Sequence, residues 1–238
     1  MNLLSRLILL SFIIPFGITG LSAKHLFKDT FDRPDGSNTE DAAGNGWTTN
    51  SAWRADGKKQ VFLKDGVPEI RRLENANHAV SFKHDFALGD CTVAMRFKID
   101  HGDRLGVNFN DTALKTAHAG HVCSVRITTK EVAVADQMNG SMNLELRKRR
   151  QAKDTSTELK QLIAKTEKKL PIELEPNQWH ELMFELDGEV VRVFVDGVFQ
   201  LEHSSPGFAH PTKSNIALSV PKNLIVDDFQ VWNQAGRK

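Results

Sequence analysis

The chain has 238 residues, 40% of them hydrophobic, and a formal net charge of +1. A balance so close to neutral argues against a general nucleic-acid role, which needs a basic surface. The length, even without a leader, is enough for one large domain with its own core.

Residues 1–23 read as a secretory signal. Arg6 marks the charged end, residues 7–14 are apolar except for Ser11, and Pro15 and Gly17 interrupt the run. Gly20, Ser22 and Ala23 are small residues suited to cleavage after Ala23. A spanning helix needs roughly 20 apolar residues, more than this run supplies, and no later stretch is apolar enough to span. The expectation is an exported protein, periplasmic or extracellular, with a mature domain over 24–238. In an oxidising compartment Cys91 and Cys123 can form one disulfide; the alternative is two buried small hydrophobes. Both fall on the apolar side of predicted strands, and spacing alone leaves the choice open.

Strand signals dominate the rest. Cys91, Val93, Met95, Phe97 and Ile99 alternate with Thr92, Ala94, Arg96 and Lys98, the period of a half-buried strand. Leu105, Val107 and Phe109 alternate with Gly106, Asn108 and Asn110, and Cys123, Val125 and Ile127 with Ser124, Arg126 and Thr128. Residues 131–136 continue as a strand. Further strands are predicted over 179–186, 190–195, 198–202, 216–220 and 224–232, separated by Asp187-Gly188, Asp196-Gly197 and Pro206-Gly207. Asp196-Gly197 between two apolar runs is a strong hairpin signal. Many short strands and no strand-helix repeat predict an all-β, antiparallel β-sandwich or barrel.

One segment, residues 145–170, departs from this pattern. Over 145–169 there are nine Lys or Arg against four Asp or Glu, with no Gly or Pro, and Pro171 follows. Leu159, Leu162 and Ile163 have helical spacing. A charged helical insertion is predicted. Its basic run, Arg147-Lys148-Arg149-Arg150, either meets an anionic surface or partner, or is the solvated face of a helix packed on the sandwich edge.

The series from Asn177-Gln178-Trp179-His180 through Asp187-Gly188 to Asp196-Gly197 resembles laminin-G-like and concanavalin A-like jelly rolls, in which such a Trp anchors the core or edge. With Asp29-Thr30-Phe31-Asp32-Arg33, Asn45-Gly46-Trp47, the strand over 120–127, Ala209-His210-Pro211-Thr212-Lys213 and the segment 226–232, the chain resembles secreted bacterial proteins grouped with the 3-keto-disaccharide hydrolase domain and, loosely, with family 16 glycoside hydrolases. That resemblance covers nearly the whole mature chain. It implies a jelly roll that handles carbohydrate and a hydrolase acting on 3-keto-disaccharides or related glycosides. Two departures stand out. Family 16 enzymes carry Glu-x-Asp-x-x-Glu on one strand, so that two carboxylates flank one sugar bond; here Glu181 and Glu185 have no Asp between them, and Asp227-Asp228 point to opposite faces. Better-characterised keto-sugar members carry Asn-Ser-Gly before an Arg-bearing strand; the similar place here reads Gly102-Asp103-Arg104-Leu105-Gly106.

Parity then gives a candidate face. With the apolar residues turned to the core, Asn108, Asn110, Ser124 and Arg126 face outward, a set of planar and hydroxyl groups of the kind that binds sugars. Lys213 joins them as a substrate-binding candidate, and Trp47 or Trp53 can stack on a ring. His121 and His210 are candidates for acid–base chemistry, with Asp136 at the end of its strand. His118-x-x-His121 is half a metal site, but no Cys or further His lies at a matching distance, so zinc is discounted. No cofactor is expected. A structural calcium ion held by Asp29, Asp32 and Asp228 is an expectation by analogy with lectin-like folds. There is no phosphate-binding Gly loop, nucleophile elbow or dinucleotide fingerprint.

Three readings remain: a glycoside hydrolase or lyase, a non-catalytic carbohydrate-binding module, and an envelope protein-interaction module. The expected partner is an oligosaccharide or glycoside, with no nucleic acid, and the expected state is a monomer or weak oligomer. Mass spectrometry of the exported protein should show a mature chain starting at Lys24; retention of residues 1–23 would overturn the cleavage assignment.

Overall fold

The structure, a computed structural model, describes residues 24–233. The signal segment assigned to residues 1–23 lies outside the described residues. In chain order the elements are β1 (Lys24–Asp29), β2 (Thr48–Thr49), a short helix α1 (Ser51–Arg54), β3 (Val61–Lys64), β4 (Val67–Arg71), β5 (Val80–Leu88), β6 (Cys91–Lys98), β7 (Leu105–Asn110), β8 (His121–Ile127) and β9 (Glu131–Asp136). Helices α2 (Leu144–Gln151) and α3 (Thr157–Ala164) follow, then β10 (Glu167–Pro171), β11 (His180–Asp187), β12 (Val190–Val195), β13 (Val198–Ser204), β14 (Lys213–Val220) and β15 (Asn223–Asn233).

The strands form two antiparallel sheets. One runs β13-β12-β11-β6-β15-β4-β3, with β1 also paired to β15; the other runs β10-β9-β8-β7-β14-β5-β2. Neighbours such as β6 and β15, or β7 and β14, are far apart in the chain, as a jelly roll requires. The alternation read from the sequence is the cause. Cys91, Val93, Met95 and Phe97 are buried on β6, and Leu182, Phe184 and Leu186 beside them on β11, while the intervening residues are half-exposed. Phe109 of the other sheet meets Phe184 edge-to-face at 5.8 Å across the core. Burying each such ring contributes about 1.5–3 kcal/mol. The Asp196-Gly197 turn closes the β12–β13 hairpin with positive φ at both residues, 51° and 75°, the backbone of a type I′ turn.

The insertion differs from its predicted form. It is two helices rather than one. Asn143 caps α2 by accepting from the N–H groups of Glu145 and Leu146, and Ser156 caps α3 by accepting from Leu159 N–H. Its last residues, Glu167–Pro171, are not helical but pair with β9 as an edge strand. The ladder offered by β9 outweighs the helix propensity of Lys168 and Lys169, and Pro171 is tolerated because it sits at an edge. Of the apolar stripe only Leu159 is buried; Leu162 is exposed.

Cys91 and Cys123 sit on opposite sheets, buried and unbonded. Burial pushes the Cys91 thiol up to about 12 and raises that of Cys123 as well, so neither is a reactive thiolate at neutral pH.

Asp29 organises the chain between β1 and β2. Its carboxylate accepts from Phe31 N–H, both terminal nitrogens of Arg33, Asn45 Nδ2 and Trp47 Nε1, at 2.7–3.0 Å. Burial alone would raise this carboxyl, but the hydrogen bonds from Arg33, Asn45 and Phe31, with the Arg33 charge, hold it below its usual 3.8. A depressed folded-state pKa stabilises the fold above the ordinary carboxylate pKa, and that stability is lost as pH falls through the lower folded value. Asp29→Ala leaves a guanidinium and an indole N–H without their acceptor and should cost about 3 kcal/mol near neutral pH. Urea titrations of wild type and variant should show this gap narrowing below pH 4; a gap independent of pH would contradict the ionised role of Asp29.

Candidate functional site

The outer face of the second sheet follows from its register. Asn108 on β7 lies opposite Ser124 on β8 and Ala217 on β14; Ser124 faces Ala135 on β9, and Ala135 faces Glu167 on β10. In the next outward row Ser219, Gly106, Arg126, Ala133 and Lys169 are aligned. Residues directly opposite share a face. Both rows therefore point away from Val107, Val125, Val134 and Leu218, which are in the core.

The floor of this face is low, because Gly106, Ser124, Ala133, Ala135 and Ala217 are small. Arg126 crosses it to ion-pair with Glu167, and Glu167 in turn lies 3.3 Å from Lys169 Nζ. Beside this group opens a cavity of about 380 Å³. The sheet and its loops contribute Arg104, Arg126, Glu131, Glu167 and Lys169, and the chain around the insertion contributes Ser141, Ile163 and Thr166. Asn108, half-buried in the floor, makes no side-chain hydrogen bond among the described residues. The arrangement offers an amide, guanidinium forks and carboxylates to a polar ligand. Among the described residues, no hydroxyl lining it is hydrogen-bonded to a carboxylate or an imidazole.

Toward the Asn110 end the face is closed over. Asn110 is buried and donates through Nδ2 to Asn215 Oδ1 at 2.8 Å. Asn110 Oδ1, Ser124 Oγ, His121 Nδ1 and Gln137 Oε1 are buried without a hydrogen-bond partner. The covering segments are joined by His118 N–H donating to Met142 O and Leu144 N–H to Thr116 O. His210 Nε2 lies 2.8 Å from Asp111 Oδ2, so a buried carboxylate orients this imidazole. The same hydrogen bond is the first cause holding Asp111 below the ordinary carboxylate range.

Register thus brings Asn108, Ser124 and Arg126 onto one face, and places the other expected site residues differently. Ser124 is on the face but 1% exposed, covered by its neighbours. Lys213 is inside the fold, 1% exposed, with Nζ donating to His210 O; the register of β14 shifts between Lys213 and Asn215. Asp136 is fully buried and accepts from Ser205 Oγ, Gly207 N–H and both nitrogens of Asn139, so it is a structural anchor and not an acid open to substrate. Gly207 is needed there, because a Cβ would fall 2.2 Å from the Asp136 carboxylate. Trp47 is stacked on Phe82 in the core at 4.2 Å and cannot meet a sugar; Trp53 is 67% exposed. Trp179 anchors the other sheet beneath Arg96 and Lys98.

The three calcium candidates have different partners. The oxygens of Asp29 are occupied by N–H donors, so it is not open to a cation. Asp32 lines a surface depression, and Asp228 lies 3.8 Å from Arg96. Among the described residues no group of three or more His, Cys, Asp or Glu could hold a metal.

Sequence reading missed Glu131, Glu167 and Lys169 as cavity residues and Asp111 as the partner of His210. The outward parity of Glu131 with Ala133 and Ala135 was a usable signal; the other three depend on pairing between distant segments.

His121 is half-buried, and burial pushes it down to about 4, with the positive charges of His118, His78 and Arg147 acting in the same direction. A histidine held neutral in the fold stabilises it fully above the unfolded pKa of 6.5, and this is lost as pH falls toward 4. Stability should fall over that window by on the order of 1–3 kcal/mol. His121→Gln should flatten the slope, and proton NMR should show the His121 ring neutral at pH 5; a ring titrating near 6.5 would overturn the assignment.

Comparison with known proteins fits this architecture. The profile of the 3-keto-alpha-glucoside-1,2-lyase-like domain matches residues 27–226. A sequence search of curated proteins finds no match. Among solved structures, the GlcNAcα1-4Gal-releasing endo-β-galactosidase from Clostridium perfringens superposes with a TM-score of 0.60 at 11% identity, over 93% of this chain and 66% of that one. The laminarinase from Rhodothermus marinus gives 0.59 at 11% identity, over 90% and 99%. The carbohydrate recognition domain of Emp47p gives 0.50 at 12% identity, over 85% and 94%. At such identities the likeness is one of fold, whereas the profile match spans most of the sequence: this chain belongs to the 3-keto-alpha-glucoside-1,2-lyase-like domain family.

Proposed function

We propose that the protein is an exported carbohydrate-binding protein whose ligand lies on the outer face of the β7–β10 half of the second sheet. The observation that carries this is the polar cavity built on small residues, with the Asn108 amide unpaired in the floor beside it. Its volume of about 380 Å³ is at the lower end of ligand sites, suited to one or two sugar rings. Jelly rolls that release or recognise glycans share the fold, which supports the ligand class. Export rests on the composition of residues 1–23. No helix among the described residues is long and apolar enough to cross a membrane.

Binding is favoured over glycoside hydrolysis by the carboxylate spacing. Glu131 faces Pro171 while Glu167 faces Ala135, so the two cavity acids stand four residues apart along the strands. That is roughly 13 Å along the backbone, so both side chains would have to lean toward each other to bring their carboxyl groups within the separation of about 5–9.5 Å at which acid and base or nucleophile act. The His210–Asp111 pair favours a second reading, a lyase or hydrolase of keto-glycosides with His210 as base. One assay addresses both: the mature protein is incubated with oligosaccharides and 3-keto-glycosides, and binding and product release are measured. Binding without turnover is the expected outcome; turnover abolished by His210→Ala would establish the second reading. Asn108→Ala should weaken binding about ten-fold, the loss of one or two sugar hydrogen bonds, and leave the melting temperature within a few degrees. Undiminished affinity in that variant would move the site off this face.

A further inference from the structure

The cavity's charge bears on which saccharides it takes. Three cations line it, Arg104, Arg126 and Lys169, against two carboxylates, Glu131 and Glu167. Glu167 is already shared between Arg126 and Lys169. Arg104 is exposed and forms no ion pair or hydrogen bond among the described residues. It is also crowded: partial burial of its guanidinium and then the charge of Arg126 both lower its pKa. Two guanidiniums at close quarters, one without a carboxylate, are electrostatically unfavourable unless an anion joins them. The surroundings reinforce the effect, since residues 145–169, whose last members wall the cavity, hold nine basic against four acidic side chains.

Resting on the carbohydrate reading above, we infer that the cavity is selective for an acidic saccharide, with Arg104 as the specificity residue that takes the sugar carboxylate. The planar fork of Arg104 matches a carboxylate in bidentate geometry, which an ammonium group does not. Arg126 is held in place by Glu167 and presents its remaining N–H groups from the opposite side. The unpaired carboxylate of Glu131 accepts from ring hydroxyls and would repel an anion placed at its own end, which sets the orientation of the sugar. The basic insertion supplies longer-range attraction and speeds encounter at low salt.

The test compares uronate-containing oligosaccharides with neutral ones of the same linkage, and with a sulfated arm, by calorimetry at low and at high salt. Wild type should bind the uronate compound about ten-fold tighter than its neutral counterpart, with the preference shrinking in high salt. Arg104→Gln should remove the preference by weakening uronate binding about ten-fold more than neutral-sugar binding, and Arg104→Lys should restore only part of it. Because Arg104 is exposed and unpaired, these variants should unfold like wild type, which circular dichroism checks. Lys148→Gln, which removes an exposed charge of α2 outside the cavity lining, should leave the preference intact. Equal affinity for acidic and neutral sugars, or a preference that survives Arg104→Gln, overturns the inference and leaves the carbohydrate reading standing. A preference lost equally in Lys148→Gln means that net charge, not a site, is at work, and also overturns it. Tighter binding of the sulfated arm alone replaces carboxylate recognition and refutes it as stated. Binding of none of the sugars removes both readings together.

Discussion

The bridge from Arg126 to Glu167 is the interaction on which this face of the molecule depends. Arg126 stands on β8 and Glu167 on the edge strand β10, so the side chain has to lie across β9. It can do so only because the outward residues of β9 at that level are Ala133 and Ala135. Larger side chains there would fill the cavity and force the arginine into solvent. The pair also ties the insertion, through β10, to the centre of the sheet. Both partners are partly screened by water, 28% and 22% exposed, so the bridge contributes modestly to stability and more to position.

Position is also what distinguishes this site from the glycosidases that share the fold. Those enzymes act with two carboxylates at a defined separation across one bond. Here the outward positions of β7 and β8 carry Gly106, Asn108, Ser124 and Arg126, and none of them is a carboxylate. A jelly roll leaves the choice open, because its core is made by one parity of each strand and its chemistry by the other. The family assignment brings the carbohydrate context; the outward parity decides what is done with it.

The molecule is also asymmetric in how it treats buried polar groups. Asp29 and Asp136 are saturated with donors and hold loops in place. By contrast Asn110, Ser124, His121 and Gln137 leave atoms unpartnered in adjacent register beneath the covering segments. Such groups are costly when dry. His121 meets that cost by staying neutral, which places a pH-sensitive element next to the candidate site.

Much of the architecture was legible in the sequence, because strand parity is a local property. Alternation along 91–99, 105–110 and 123–127 identified both the core face and the outward Asn108 and Arg126, and Asp196-Gly197 announced its hairpin through the φ values it can adopt. The family resemblance was legible for the same reason: its motifs are short and contiguous. Other features were decided only by contacts between distant segments. Glu167–Pro171 became a strand because β9 had an open ladder to offer, against the local preference of its lysines. Lys213 lies inside the fold beside a register shift that appears only when β14 is paired with β5. Trp47 entered the core because Asp29 and Phe82 were waiting there to receive its N–H and its ring. The cavity itself, with its Arg104, Arg126 and Lys169, has no signature along the chain. Its walls come from the residue before β7, from β8, β9 and β10, and from the insertion, and only the pairing order of the strands sets them side by side.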